Sequence, residues 1–466
     1  MNVLIWIPLG VYFAYLGFVI IQSFRLPAVD SIGYLLVGRK LTLPAFVASL
    51  VASWYGGILG VSEFSWRYGV SMWFILALPY YLAAFVMALF LAKRIRNVNL
   101  VTIPEQFRQT YGPRIAILGA LIIFLQTTPA PYLLELGKLC EYLFSIPKYM
   151  AIPLCAFFSM AYVLRGGLGA VVKTDKIQFV LMFIGFILIV AMARNHFGGL
   201  PVLKENLPSS LFVWHGGHSP WVIFSWYLLA MVTLIEPNFY QRCAAAKSPA
   251  VAQRGIFFSI LCWAVFDFLT LSAGLYAHMA FPNLESPMLA YPMLSQLILP
   301  PFLHGIFLTS LFAIIMSTID SFTFVSATTF GYDILGILFS GKKMQENQQR
   351  WTRWGLAVTV VTSICIALFS ESVVAIWYWV GSIGIPAILI PALAMFIGRP
   401  LSSAEVRLAL IGSFLLNVAQ AMTQAITENG DYLWGIQPIL PGLIWGLFIW
   451  GISCYRNRSY KGIFFS

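Results

Sequence analysis

Apolar residues run along this chain in blocks of about twenty, separated by short polar segments. That length matches the hydrocarbon thickness of a bilayer, which a helix crosses with about 20 apolar residues. Thirteen such spans are read, at roughly 4–23, 43–66, 72–92, 115–143, 149–164, 177–193, 220–240, 255–280, 303–338, 352–369, 373–398, 406–424 and 434–454. The segment at 303–338 is too long for one perpendicular span, so it is expected to tilt or to extend beyond the bilayer. The first span has no basic leading region and no small-residue cleavage site, and reads as a retained helix rather than a signal peptide.

The polar segments alternate in charge. One set carries 23 of the 28 Lys and Arg residues, from Arg25, Arg39 and Lys40 through Arg242, Lys247 and Arg254 to Lys342, Lys343, Arg458 and Lys461. The other set holds only Arg67, Lys148, Arg194 and Lys204. Cytoplasmic loops are the basic ones, which puts the N-terminus outside and the C-terminus in the cytoplasm. The net charge of +11 is thereby explained without nucleic acid as a partner.

Composition sharpens the class. Hydrophobic residues make up 60% and charged residues 10% of the chain, against about 25% charged in soluble domains. This balance argues strongly against a soluble enzyme with one membrane anchor. The six cysteines are scattered without a CxxC spacing, so neither a disulfide framework nor a zinc site is indicated.

Two spans carry polar or breaking residues at depth. Residues 47–60 contain Gly56, Gly57 and Gly60. Glycines loosen a helix and free its carbonyls, which lipid tolerates only where they line a cavity or meet a cation; close helix packing through small residues is the other reading. Met316-Ser317-Thr318-Ile319-Asp320-Ser321 lies inside the long apolar segment. A charge at the helix centre costs about 2.5–3.5 kcal/mol even on insertion scales, so such a cluster marks an ion or substrate site by default. With 3.6 residues per turn, Ile314, Ser317, Thr318 and Ser321 share a face, and Asp320 stands at its edge. Two hydroxyls, a neighbouring carbonyl and the carbonyls beside Gly56 and Gly57 supply about five oxygens, the ligand type of hard cations. The competing reading is that these hydroxyls bond back to carbonyls one turn away.

Other candidates are less specific. Asp267, in mid-span, is suited to meet a substrate ammonium, to carry a proton or to pair with a helix neighbour. Trp226, Trp263, Tyr80 and Tyr81 are candidate pocket walls. Glu135 and Lys138 are spaced for an intrahelical pair. The five histidines fall toward the outside, and no Walker A, G-x-S-x-G or HExxH motif accompanies them.

The chain resembles the sodium:solute symporter family, the group of sodium-coupled proline, pantothenate, sialic acid and glucose carriers. The resemblance rests on an ordered series: Tyr34-Leu35-Leu36-Val37-Gly38-Arg39; Glu63 to Gly69; Thr102-Ile103-Pro104-Glu105-Gln106-Phe107 with Tyr111-Gly112; Gly166 to Val171; Thr174-Asp175 and Gln178; Pro237, Gln241-Arg242 and Ala244 to Lys247; and Met316 to Ser321. It implies an all-α polytopic membrane protein with about thirteen transmembrane helices and a LeuT-like core of two inverted five-helix halves. The whole chain, 1–466, would be one transport domain: an extra N-terminal helix at 1–40, a ten-helix core at 41–398 with halves near 41–193 and 219–398, and two C-terminal helices at 399–466.

The resemblance also implies residues. Sodium would meet the carbonyls of Ala52, Tyr55 and Ile314 and the hydroxyls of Ser317 and Thr318. A second sodium site, present in some members, would use Asp175, Ser317, Asp320 and Ser321. Substrate candidates are Gly56, Gly57, Leu229, Trp263 and Asp267. Trp54 stands where the proline carrier places an aspartate that assists sodium. Trp263 and Leu229 replace polar contacts of the sugar carriers, which argues against a hexose. The expected function is sodium-coupled import of a small solute, a zwitterion or carboxylate, by alternating access in a bacterial inner membrane, with Na+ as the coupling ion. A transporter-like sensor is the alternative; with only about a dozen residues after Cys454, it would be expected to signal through a partner protein. No loop carries the catalytic constellation a membrane enzyme would need.

Overall fold

A computed structural model describes residues 3–25, 30–340, 348–370, 372–399, 401–427 and 432–456. Lys342, Lys343, Arg458 and Lys461, four of the charges assigned to cytoplasmic loops, lie outside these residues. The regular structure of the described chain is all helical, and its single β-type contact is an isolated bridge between Leu41 and Ala246.

Eleven of the described helices are long and apolar enough to cross a membrane. The other two expected spans take shorter forms. The 43–66 segment divides into Leu43–Ala52 and Ile58–Tyr68, with Ser53–Gly57 non-helical between them. The 149–164 segment is the first part of a helical stretch, Lys148–Phe197, that folds back at Gly167. Gly167 has φ 55° and ψ −152°, and a Cβ there would lie 2.3 Å from the Tyr34 carbonyl oxygen. Only glycine reaches this backbone region without strain.

The 220–240 segment is also interrupted. Pro220–Ala230 gives way to a 3₁₀ turn, Met231–Leu234, before Pro237–Ala245. Pro237 has no amide hydrogen to continue a helix, and Glu236 caps the new one by accepting from the Asn238 amide. Each expected five-helix half therefore opens with a helix broken in mid-span, the device on which a LeuT-like core is built.

The long segment runs as Pro301–Thr328, widens into a π-helical stretch, Thr329–Leu335, and ends in Gly336–Ser340. Every residue from Phe307 to Thr329 is buried. This helix is the centre of the bundle, packed chiefly against Lys148–Phe197. The polar cluster around Ser317 thus faces protein and not lipid.

At one end of the bundle the two broken helices are tied together. The Leu41 amide donates to Ala245 O at 3.1 Å, the Lys247 amide donates to Leu41 O at 2.9 Å, and Arg96 Nε donates to Ala246 O at 2.5 Å. These residues belong to the basic set of loops.

Candidate ion and solute site

The first break meets the hydroxyl-rich helix directly. A Cβ added to Gly56 would lie 2.3 Å from Thr318 Cβ and 2.5 Å from its Oγ1. The backbone of the break and the Thr318 hydroxyl can approach this closely only because residue 56 has no side chain.

Glu135, on the helix Ala130–Phe144, fixes the break from the other side. Its buried carboxylate accepts from the Leu59 amide at 3.3 Å and the Gly60 amide at 3.1 Å. In an unbroken helix those amides would bond Tyr55 O and Gly56 O. Glu135 takes them over, as an acidic cap at a helix N-terminus does, and releases those carbonyls. This is a role beyond the intrahelical pair with Lys138 that the spacing suggested.

Ser317 and Thr318 are fully buried. The Ser317 hydroxyl donates to Asp175 Oδ1 at 2.6 Å, leaving its lone pairs for another partner. The Thr318 hydroxyl reaches Ile314 O only at 3.5 Å, the outer limit of a hydrogen bond. Back-bonding one turn away therefore accounts poorly for either hydroxyl.

Asp175 is completely buried, and it is paired with neither Lys173 nor Lys176. It accepts from Ser49 Oγ at 2.5 Å as well as from Ser317, and its Oδ2 lies 3.5 Å from Arg242 Nη2. Arg242 has no exposed surface. Its Nε donates to Ser49 Oγ at 3.1 Å and its Nη2 to Ser321 Oγ at 2.8 Å. Arg242, read from sequence as a loop charge, is thus a structural cation at the core. Asp320 accepts from Ser159 Oγ at 2.6 Å. Of the second candidate set, the structure joins Asp175 to Ser317 and, through Arg242, to Ser321, while Asp320 hydrogen-bonds Ser159.

A cavity of about 200 Å³ opens beside the same break. Gly57, Leu229 and Asp267 line it, as do Tyr55, Tyr80, Tyr81 and Trp226. Gly56 faces Thr318 instead. Trp263 lies behind the cavity wall, 1% exposed, its ring centroid 5.8 Å from that of Trp54 and 5.7 Å from that of Phe239; its carbonyl accepts from the Tyr55 hydroxyl at 3.2 Å. Asp267 accepts from the Tyr81 hydroxyl. Sequence reasoning missed Glu236, Gln126, Tyr132 and Trp377, all of which line the cavity. Trp377 covers the break so closely that a Cβ on Gly57 would meet its ring at 1.8 Å. In the sequence it sits in Ile376-Trp377-Tyr378-Trp379, where it resembles an interfacial anchor. Glu236 did leave a signal, an acid directly before a proline in mid-span. The described residues contain no cluster of His, Cys, Asp and Glu suited to a metal.

A bundle with paired broken helices, an oxygen-rich junction and an adjoining cavity defines a cation-coupled secondary transporter. The sodium:solute symporter family matches residues 34–400, and the chain belongs to that family. The sodium/pantothenate symporter of Escherichia coli (strain K12) is 26% identical over 433 residues, covering 89% of this chain and 88% of that protein. A sodium/proline symporter of Staphylococcus aureus (strain JH9) is 26% identical over 388 residues, covering 78% and 74%. Among solved structures, a Na+-coupled sialic acid symporter in a substrate-bound outward-open state superimposes with a TM-score of 0.77 at 16% identity, covering 96% of this chain and 97% of that one. The fold is accordingly LeuT-like, and Na+ is the coupling ion for symport of a small solute across a membrane.

Proposed function

We propose that sodium binds where the first broken helix crosses the hydroxyl-rich helix, on the carbonyls of Ala52, Tyr55 and Ile314 and the hydroxyls of Ser317 and Thr318. The observation that supports this reading is the Gly56–Thr318 contact, which brings the break against a buried hydroxyl. Tyr55 and Gly57 also line the cavity, so an ion that orders the break shapes the solute site. Each ligand then tightens the other's binding by the same factor, as linkage requires. A rocking of one helix group against the other exposes the pair to the opposite side.

The solute is a small zwitterion or carboxylate held in the cavity; relatives named for proline and pantothenate transport support that range. The core is 41–398, flanked by the helix at 1–40 and the two helices at 399–466. The N-terminus lies outside, the C-terminus in the cytoplasm, and bacterial relatives favour the inner membrane. A second sodium at Asp175, Ser317, Asp320 and Ser321 would have to share Asp175 with Arg242. Uptake into proteoliposomes containing the purified protein tests the reading. An inward sodium gradient should drive solute accumulation, and equal potassium should not. Accumulation indifferent to sodium would refute it.

A further inference from the structure

The charge of the cavity narrows the solute. Two carboxylates line it, Glu236 from the second break and Asp267 from the helix Pro249–Ala280, and no Lys, Arg or His does so among the described residues. Glu236 is 6% exposed. Its Oε1 takes both bonds from Asn238, at 3.4 Å from the amide and 3.2 Å from Nδ2, and among the described residues none donates to its Oε2. Arg242, the cation on the neighbouring turn, is committed to Asp175, Ser321 and the Asn238 carbonyl and side-chain oxygens. Asp267 has the Tyr81 hydroxyl, which supplies no charge.

Carboxylates taken from water need a cation or a proton. The same cavity is lined by aromatic side chains, Trp54, Tyr80, Tyr81, Tyr132, Trp226 and Trp377 among them. Aromatic faces attract ammonium groups, quaternary ones included, through the ring quadrupole, and add little for a neutral group of the same shape. Gln126 Nε2 and Trp377 Nε1 are buried donors without a partner, and both residues line the cavity. They suit the acceptor end of the same molecule.

We infer that the solute carries an ammonium group, which Glu236 and Asp267 hold against the aromatic walls while its acceptor end meets Gln126 and Trp377. This rests on the symport reading and excludes a plain carboxylate as substrate.

Matched probes isolate the charge. Glycine betaine and choline are compared with their carbon isosteres, 3,3-dimethylbutyrate and 3,3-dimethylbutanol, alongside proline and pantothenate, by thermal shift of the full chain in nanodiscs with and without sodium. At least one ammonium probe should stabilise the protein in sodium, and proline or an amine should bind about tenfold or more tighter than any probe lacking the ammonium. Glu236→Gln, which keeps an oxygen for Asn238, and Asp267→Asn, which keeps one for Tyr81, should each weaken that binding about tenfold. Sodium alone should still stabilise both variants, showing that they are folded. The inference is overturned if isosteres or pantothenate bind as well as the amines, if both variants bind amines normally, or if no ammonium probe binds at millimolar concentration. Sodium-driven uptake of pantothenate would overturn it and leave symport standing. Uptake or stabilisation without any sodium dependence would instead defeat the symport reading itself.

Discussion

Gly56 and Thr318 touch across the centre of the bundle, and no side chain fits between them. That contact couples the shape of a broken helix to a buried hydroxyl. Gly56→Ala should therefore displace Thr318 or the break and weaken sodium binding about tenfold or more, since oxygen ligands tolerate only small shifts in distance. Isothermal titration with sodium measures it. Adding Thr318→Gly to that variant should relieve the crowding and restore thermal stability without restoring sodium affinity. Recovery of both would show that the hydroxyl is not a ligand.

Glu135 is expected to matter for stability before it matters for transport. Glu135→Ala leaves the Leu59 and Gly60 amides buried without acceptors, at about 1–3 kcal/mol for each such group. The melting temperature should fall by several degrees even without sodium. A variant with unchanged melting would mean that those amides find other partners.

Arg242 and Asp175 are a second pair whose members depend on each other. Removing one partner of a buried ion pair costs about 3–5 kcal/mol, because the remaining charge is stranded. Arg242→Gln should be strongly destabilised, and combining it with Asp175→Asn should recover part of the loss. The same Asp175→Asn variant bears on the number of ions. If a second sodium shares this carboxylate, the Hill coefficient for sodium in uptake falls toward one, whereas a single-ion carrier keeps its wild-type value.

Much of this architecture can be read in the chain because lipid imposes its own pattern. Spans appear as apolar blocks, and the break at Gly56-Gly57 and the hydroxyls at Ser317 and Thr318 stand out as exceptions within them. Asp267 and Gly57 were recognisable for the same reason, Leu229 only through the family resemblance, and all three line the cavity. Arg242 misled because a cation near a span boundary looks like a loop charge. Only tertiary packing reveals that it is buried against Asp175. Trp263 and Trp377 could not be told apart in sequence, since apolar aromatics look alike in a chain with fifteen tryptophans; one packs behind the wall and the other covers the break. The second break was less visible than the first because it lacks a glycine pair and depends on Glu236-Pro237.

The sodium ligands themselves give the most direct test. Initial rates of solute uptake into proteoliposomes are measured against external sodium for the wild type, Ser317→Ala and Thr318→Ala. The sodium concentration for half-maximal rate should rise about tenfold or more in each variant, while saturating sodium restores most of the rate. Half-saturation unchanged in both variants would contradict a sodium site at the crossing of the broken and hydroxyl-rich helices.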